Sequence, residues 1–254
     1  MITLTTPFAG KRHCFDAYYD GVVNLDHPKD DFHVIWYDNS CDADFHAMLQ
    51  EKIKVFPSHE IVIDITPPLV IENTPDYCRV SERCHEVYCN LAELVPADNE
   101  FMFNVEDDVW VPPDSLSKML AIFRLDEKIG TVIGQQYCRR FSKAKNIRPI
   151  PNAWTFEIDY RFPEGDVCKE KTAKRTFIED KPFGVEIIGS GHLGCWLTKT
   201  HLVKELGFMM DKDGLRANDT VWGYRLREHG YYFVIDYSIR CRHYYRIEGE
   251  VGYL

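Results

Sequence analysis

The stretch FMFNVEDD, residues 101–108, decides how this chain is interpreted. Its first five residues, Phe101–Val105, form an apolar run with the length of a buried β-strand. Glu106, Asp107 and Asp108 follow at once, and three adjacent carboxylates repel one another unless a cation or water neutralises them. Ligands collect at the carboxyl ends of strands in parallel sheets, so these side chains are predicted to face a ligand crevice. Their oxygens suit Mg²⁺ or Mn²⁺, which bridge diphosphates, although an isolated triplet also fits a solvated acidic turn.

Strand-like and helix-like patterns alternate on both sides of this stretch. Short apolar runs predict strands, and apolar residues spaced by three and four predict helices. The predicted order is strand 2–6, helix 14–23, strand 32–37, helix 42–56, strand 61–65, helix 75–95, strand 101–105 and helix 112–123. An irregular region at 143–181 precedes strand 184–188, helix 199–206, helix 219–229 and strand 231–236. This rhythm predicts an α/β fold, with a Rossmann-like, mainly parallel sheet flanked by helices and an irregular second half.

Composition narrows the classes of protein that fit. The chain has 254 residues, which suits one domain with a substantial core. Its 30 basic and 40 acidic residues leave a formal charge of -10, which argues against broad nucleic-acid binding. The opening residues, MITLTTPFAGKRH, lack the features of a signal peptide, and no apolar run approaches the ~20 residues that span a bilayer. We therefore expect a cytoplasmic protein without a transmembrane segment.

Nine cysteines are scattered along the chain, and free buried thiols are expected in the absence of a secretory signal. Cys78, Cys84, His85 and Cys89 suggest a zinc cluster at first sight. However, Cys84 and Cys89 are five apart on a predicted helix and therefore diverge, and no CxxC pair occurs. A structural zinc is not favoured.

The segment GSGHLG at 189–194 matches the pattern GxGxxG, which is typical of dinucleotide-binding proteins. Asp211 or Asp213 supplies an acidic residue at about the expected distance. However, the fingerprint should open the first βαβ unit of the fold, and Asp211 does not end an apolar strand. An NAD-dependent oxidoreductase is therefore retained only as an alternative.

Taken in order, the motifs of the first half resemble those of GT-A glycosyltransferases, which have the nucleotide-diphospho-sugar transferase fold. The strand ending in Thr6 and Pro7 resembles the opening strand and loop of that family. The second strand ends at Asp38, similar to the position where an acidic residue contacts the nucleoside. Arg83 lies where a basic residue of the family approaches the nucleotide. The resemblance implies that these four residues bind the donor.

The acidic triplet resembles the DXD motif of the family in an EDD form. The resemblance implies that Asp108, with Glu106, binds the metal and that Asp107 helps to bind the donor. Glu at the first position is a departure that leaves the coordination detail open. His243 resembles the late histidine that reaches the metal or diphosphate in many GT-A enzymes, and its neighbour Arg242 offers positive charge to phosphate.

The segment NDTVWGYRLREHGY at 218–231 resembles the ED…RL…GY stretch of inverting, family 2-like transferases. The resemblance implies that Asp219 is the general base that acts on the acceptor hydroxyl. Asn218 replaces the usual Glu, so the match is incomplete, and Asp219 also fits a simple helix cap. The glycine segment resembles an acceptor-side loop, which implies that Gly191 lies close to the donor sugar or acceptor.

The resemblance implies a single GT-A domain, with a nucleotide-binding half at 1–108 and an acceptor-binding half at 109–254. The implied enzyme uses Mn²⁺ or Mg²⁺ to move a sugar from a UDP- or GDP-linked donor to a hydroxyl, with inversion. The acceptor stays open between glycan, lipid, protein and, less favoured by the acidic charge, modified nucleic acid. Trp110 and Trp154 are the candidates for stacking on a sugar. A sugar-phosphate nucleotidyltransferase and a non-catalytic carbohydrate-binding relative are further alternatives.

Overall fold

Short apolar strands build the centre of the molecule, and helices cover them. The computed structural model describes residues 1–66, 76–138, 150–156, 175–208, 218–247 and 250–253. The helices are α1 Phe15–Val23, α2 Ala43–Lys52, α3 Asp76–Leu94, α4 Ser115–Phe123, α5 Thr200–Leu206 and α6 Asn218–Glu228. Short 3-10 turns occupy Lys29–Asp31 and Ile53–Val55.

The strands divide between one large sheet and three small ones. Those of the large sheet are β1 Ile2–Phe8, β2 Phe32–Asp38, β3 Ser58–Ile63, β4 Phe101–Val105, β6 Ile129–Gln135, β11 Val185–Ile188, β13 Cys195–Lys199 and β14 Tyr232–Arg240. The others are β5 Val109–Trp110, β7 Tyr137–Cys138, β8 Ile150–Pro151, β9 Ala153–Phe156, β10 Arg175–Phe177, β12 Ser190–Gly191, β15 Arg242–Ile247 and β16 Glu250–Tyr253.

The large sheet has the strand order β11-β14-β6-β13-β4-β1-β2-β3. Parallel pairing joins β3, β2, β1 and β4 in one block and β6 with β14 in another. Between the blocks, β13 runs antiparallel to both neighbours, with Cys195 opposite Val105 and Trp196 opposite Ile133. The edge strand β11 is also antiparallel. The α/β fold with a mainly parallel sheet is thus confirmed, and the reversed β13 was not anticipated.

Alternating side chains divide the core between the two faces of this sheet. Trp36 and Phe103 face α1, α2 and α4, whereas the preceding residues Ile35 and Met102 face α3, α5 and α6. All four side chains are fully buried. Because both faces are covered, the strands are apolar almost throughout, as expected of parallel sheets.

Several element ends differ from the predicted ones for identifiable reasons. Helix α2 begins after Asp42, whose carboxylate accepts hydrogen bonds from the main-chain N–H groups of Asp44 and Phe45, but its last turn tightens into a 3-10 turn before Phe56. Strand β14 continues to Arg240 beyond a shift in its register with β6. The predicted start of α3 at Pro75 lies outside the described residues. None of the described helices has the length and apolarity needed to cross a bilayer.

Candidate functional site

The carboxyl ends of β1, β4 and β6 lie at one edge of the sheet, as their shared direction requires. Reversal of β13 brings the loop that precedes it, at 192–194, to the same edge. The loop 9–12 follows β1, the acidic triplet follows β4, and Gln136 follows β6. The main-chain N–H of Glu106 donates to the carbonyl oxygen of Gly194 at 2.9 Å, which joins two of these loops. The edge therefore combines acidic, basic and glycine-rich segments in one place.

Lys11 binds both aspartates of the triplet. Its Nζ lies 2.9 Å from Oδ1 of Asp107 and 2.7 Å from Oδ2 of Asp108. The Asp107 side chain is 4% exposed, that of Asp108 12%, and that of Lys11 37%. A single ammonium group thus contacts two nearly buried carboxylates, on a side chain that is itself partly exposed.

Local backbone geometry places Lys11 at this position. Gly10 has a φ of 79°, a left-handed conformation that favours glycine, and it turns the chain directly after β1. The main-chain N–H of Ala9 donates to Oδ2 of Asp107 at 2.9 Å, and the Cys14 thiol donates to the carbonyl oxygen of Lys11 at 3.2 Å. These contacts fix the main chain of the loop on the acidic residues, although the sequence pattern alone does not predict them.

His243 approaches Asp108 from the far end of the chain. Strand β15 pairs with β5 so that His243 lies opposite Val109, and the N–H of Tyr244 donates to the main-chain oxygen of Asp108 at 2.8 Å. The imidazole Nε2 lies 3.4 Å from Oδ2 of Asp108. Its Nδ1 lies 3.4 Å from the main-chain oxygen of Tyr137, which can only accept, so Nδ1 carries the hydrogen in this contact. The Nε2 lone pair is therefore free in the neutral ring, whereas the doubly protonated ring donates from Nε2 to Asp108.

Burial and charge set the protonation of these groups. Burial opposes ionisation of Asp108, but Lys11 and His243 outweigh it and lower the pKa of that carboxyl. Burial dominates at Glu106 and Asp107 and raises the pKa of each. The pKa of His243 is raised, because its hydrogen bond to Asp108 and the nearby negative charge outweigh burial. The site thus favours one firmly ionised carboxylate, that of Asp108.

Asp108 also has an acceptor atom that the protein leaves unused. Its Oδ1 is buried and has no hydrogen-bond partner, an expensive state for a charged oxygen unless a ligand satisfies it. A carboxylate oxygen is a suitable donor for Mn²⁺, and the imidazole nitrogen that lies 3.4 Å from Oδ2 of the same residue is a further metal donor. Over the ranges described above, no group of three or more His, Cys, Asp or Glu side chains is arranged to hold an ion alone. Substrate or water oxygens would have to complete the ligand set.

Glu106 is engaged on the other side of the triplet. The Tyr88 hydroxyl donates to its Oε1 at 2.9 Å. Asn104, a polar residue inside apolar β4, donates to the carbonyl oxygen of Leu193 at 2.8 Å. His192 is fully buried, with Nε2 2.8 Å from the carbonyl oxygen of Gly134. None of these supporting residues was singled out from the sequence, although Asn104 in an apolar run was a visible sign.

Three of the predicted donor-binding residues, Thr6, Pro7 and Asp38, lie towards the carboxyl ends of β1 and β2. Thr6 is fully buried, and its hydroxyl is 2.6 Å from that of Tyr18 within the core. Pro7, the next residue of β1, is half-buried. The Asp38 carboxylate accepts a hydrogen bond from the N–H of Ser40 at 3.0 Å and lies 3.1 Å from the His46 ring. Direct donor contact by Thr6 would therefore require its hydroxyl to leave the core.

Arg83 lines a polar cleft of about 620 Å³ beyond β3. Its guanidinium donates to Asp64 and, at 2.8 Å, to Glu86. The Tyr37 hydroxyl also donates to Asp64 at 2.7 Å, and the Asn90 amide donates to that hydroxyl at 2.7 Å. Asp64 was missed in the sequence, although it stands directly after a strand, as the acidic triplet does.

Asp219, the predicted general base, lies in the first turn of α6 and is half-buried. Its Oδ1 accepts from the N–H of Thr220 at 2.6 Å, and its main-chain oxygen accepts from the Ser190 hydroxyl. Gly191 is packed so closely that a β-carbon there would lie 2.4 Å from Cδ1 of Ile133. The glycine segment leads into strand β13 instead of a helix, which argues against the dinucleotide-binding interpretation.

Arg242 and Trp110 pack together beside the triplet. The guanidinium carbon lies 4.5 Å from the centroid of the Trp110 ring, a cation–π contact. The indole N–H donates to Oδ2 of Asp20 at 3.0 Å. Arg242 therefore covers one face of the ring predicted to stack on a sugar. The side chain of Trp154, like that of Cys78 in the disfavoured zinc cluster, lies outside the described residues.

Comparison with known proteins identifies the fold. No protein-family model matches the chain, and no curated protein matches it significantly. Among solved structures, GalNAc-T7 with UDP, GalNAc and Mn²⁺ matches 98% of the chain with a TM-score of 0.66 and 12% identity, over 44% of its own length. TarS 1-349 from S. aureus matches 92% with a TM-score of 0.55 and 12% identity, over 57% of its length. A mannosyltransferase from Pyrobaculum calidifontis, in complex with GDP-Man and Mn²⁺, matches 92% with a TM-score of 0.55 and 12% identity, over 55% of its length.

These structures are GT-A glycosyltransferases, so the predicted GT-A fold is confirmed. The chain spans about half the length of the solved chains it matches. At 12% identity the similarity shows the fold alone.

Proposed function

We propose that the protein is a metal-dependent glycosyltransferase that moves a sugar from a nucleoside-diphosphate sugar to an acceptor hydroxyl. The observation that carries the proposal is the buried, unpartnered Oδ1 of Asp108, a carboxylate whose Oδ2 lies 3.4 Å from Nε2 of His243, at the carboxyl edge of a GT-A sheet. Two of the similar structures hold Mn²⁺, one with UDP and GalNAc and one with GDP-Man. The donor base, whether uracil or guanine, is left to experiment.

Asp108 and His243 would hold Mn²⁺ or Mg²⁺, and the bound ion would offset the negative charge that develops on the departing diphosphate. Glu106 is the third predicted ligand. Because Tyr88 binds its Oε1, that role would fall to the other carboxylate oxygen. Asp107 holds Ala9 and Lys11, which fixes the β1 loop beside the donor.

The remaining predicted donor contacts surround this point. Asp38 and Arg83 are proposed to bind the nucleoside, and Arg242 the phosphates. Thr6 and Pro7 shape the floor beneath the donor, and Gly191 permits close approach of the sugar or acceptor. Glycan, lipid and protein hydroxyls are the acceptors we propose, with modified nucleic acid disfavoured by the charge of -10.

Asp219 is proposed as the general base. Its carboxylate is oriented by the Thr220 N–H at the start of α6, and Ser190 ties its main chain to the glycine segment. In this role it removes the acceptor proton as the hydroxyl attacks the anomeric carbon. Direct attack of this kind inverts the anomeric configuration.

Thermal unfolding of the protein with a panel of UDP- and GDP-sugars, with and without Mn²⁺, tests the proposal. Ligand binding stabilises the fold by mass action, by about 2.7 kcal/mol at a ligand concentration of 100 Kd. A metal-dependent shift is expected for the true donor, and it should disappear in Asp108→Asn. Asp114→Asn is the matched control, because Asp114 is an exposed carboxylate paired with Lys118 outside the site. Absence of a metal-dependent shift with every donor would contradict the proposal, and a shift with NAD alone would favour the oxidoreductase.

A sugar-phosphate nucleotidyltransferase is the second candidate, and one observation favours it. Lys11, in the loop after β1, reaches the acidic residues that would bind a metal. The loop Ala9-Gly10-Lys11-Arg12 nevertheless has a single glycine, where an activation loop is glycine-rich. Release of pyrophosphate from a nucleoside triphosphate and a sugar phosphate would identify this activity, and such release is not expected.

A further inference from the structure

Lys11 occupies the space between two carboxylates that the proposed function assigns to a metal–donor complex. Its Nζ contacts Oδ1 of Asp107 and Oδ2 of Asp108, at 2.9 and 2.7 Å. The same Oδ2 faces Nε2 of His243 at 3.4 Å. The ammonium group therefore stands at the point where an ion held by Asp108 and His243 would bring a second positive charge.

Two cations would repel one another strongly at this point, because the carboxylates that hold them are nearly buried and charge is screened less there than in water. The carboxylates of Asp107 and Asp108 also need a counter-charge whenever no metal is bound. Lys11 supplies that charge from within the chain. Binding of a divalent ion must therefore exchange one cation for another.

The Lys11 side chain is suited to this exchange, whereas its backbone is not. Gly10, Ala9 and Cys14 anchor the loop on Asp107. The side chain is a flexible four-carbon stem that is 37% exposed. Its ammonium group can thus swing out of the carboxylate pair while the loop stays in place, and a donor diphosphate would offer it new oxygen partners.

We infer that Lys11 is a positioning residue that competes with the divalent ion for Asp108 and releases it when the metal and the donor diphosphate bind together. The inference rests on the proposed function. It makes metal binding weak in the free protein and couples it to donor binding. Such coupling is reciprocal, so the metal should tighten diphosphate binding by the same factor.

Titration of Mn²⁺ in the absence of donor, followed by electron paramagnetic resonance of the free ion, tests the competition. Lys11→Met should bind Mn²⁺ at least 10-fold more tightly than the wild-type protein. Lys11→Arg, which keeps the charge, should stay near the wild-type affinity. Arg12→Gln is the matched control, because Arg12 is the adjacent cation and bonds to exposed Asp42 at 2.6 and 3.0 Å. A role of Lys11 in folding alone would lower the melting temperature of Lys11→Met and leave its Mn²⁺ affinity unchanged, which would overturn the inference.

A second measurement uses the wild-type protein and does not depend on any variant being folded. With ¹⁵N-labelled lysine, the Lys11 ammonium signal should show slow hydrogen exchange in the free protein and fast exchange once Mg²⁺ with UDP or GDP is added. A signal unchanged at saturating Mg²⁺ and diphosphate would overturn the inference. If Lys11→Met gains Mn²⁺ affinity but no nucleotide sugar binds, the proposed function fails while the competition stands. If donors bind in a metal-dependent way and Lys11→Met gains nothing, the inference fails and the function stands.

Discussion

His243 and Asp108 face one another across the β5–β15 pair, with Nε2 of the imidazole 3.4 Å from Oδ2 of the carboxylate. Tyr137 accepts from the opposite ring nitrogen, so that Nε2 is the nitrogen whose lone pair the neutral ring can offer to a metal. Hydrogen bonding of a metal-binding histidine through its second nitrogen is a common way to fix the ring for coordination. The relationship makes His243 testable separately from the triplet.

Replacement of His243 by Gln should weaken Mn²⁺ binding by at least about 10-fold, since loss of a residue that only orients a metal ligand already costs about 10- to 100-fold in affinity. A proton on Nε2 competes with the metal, and the pKa of His243 is raised by Asp108 against the effect of burial. Mn²⁺ affinity should therefore decrease as the pH falls through that raised pKa, and His243→Gln should remove this part of the dependence. Calorimetric titration at several pH values measures both effects. His201→Gln, at an exposed position of α5, serves as the control, and an unchanged affinity in His243→Gln would exclude His243 as a ligand.

Replacement of Asp219 by Asn should lower the rate of sugar transfer by about 10²- to 10⁴-fold, the contribution typical of a general base. Metal-dependent donor binding should be preserved, because the proposed function gives Asp219 no role in binding the metal or the donor. Transfer kinetics and the thermal shift with donor separate the two effects. The wild-type product, resolved by NMR at the anomeric carbon, should show inversion; a retained configuration would rule out the proposed role of Asp219.

His192 should make the fold sensitive to acid. Burial lowers its pKa to about 3, against the hydrogen bond to Gly134, from an ordinary value of 6.5. Between these two pKa values the unfolded chain binds the proton and the folded chain does not. The free energy of unfolding therefore rises with pH across this window, and the contribution of His192 to stability disappears as the pH falls through it. The slope contributed by one histidine is about 1.4 kcal/mol per pH unit. Denaturant unfolding from pH 3.5 to 6.5 should show a smaller slope in His192→Gln than in wild type. His229→Gln, an exposed histidine, should keep the wild-type slope, and equal slopes in all three proteins would disprove the assignment.

Gly223 allows α6 to touch the glycine segment. A β-carbon at this position would lie 2.4 Å from the main-chain oxygen of Gly189 and 2.4 Å from Cβ of Ser190. Gly223→Ala should therefore lower the free energy of unfolding by about 1–3 kcal/mol, as overpacking does in other cores. It should also reduce transfer, because the shift moves Asp219. Arg227→Ala, on the exposed side of the same helix, should change neither; a Gly223→Ala protein as stable as wild type would show that the contact relaxes easily.

The elements predicted best are those whose ends are marked chemically. Strand β4 was predicted to the residue, because the apolar run stops abruptly at three carboxylates. Asp42 likewise predicts the start of α2, because its side chain caps the helix. Periodicity identifies buried faces well, so the order of the first strands and helices follows from local pattern.

The features missed depend on contacts between distant segments. Lys11 has no pattern that distinguishes it from a solvated lysine, and its position depends on the φ of Gly10 and on the pairing of β1 with β4. The direction of β13 cannot be predicted from the sequence either, since CWLTK is apolar enough to pair parallel or antiparallel to its neighbours. In the sequence His192 is only one of the variable positions of a glycine motif. Its lowered pKa depends on burial, which the motif does not predict.

The reversed strand β13 delays completion of the site during synthesis of the chain. Its insertion against β4 means that the acidic triplet reaches its final surroundings only after residues 194–199 exist to pair with it. Since domains fold as their residues emerge from the ribosome, a nascent chain ending near residue 190 would carry the triplet without the Gly194 carbonyl or His243. A ribosome-stalled fragment of that length should therefore bind no Mn²⁺, and ion binding should appear only as the last strands are synthesised.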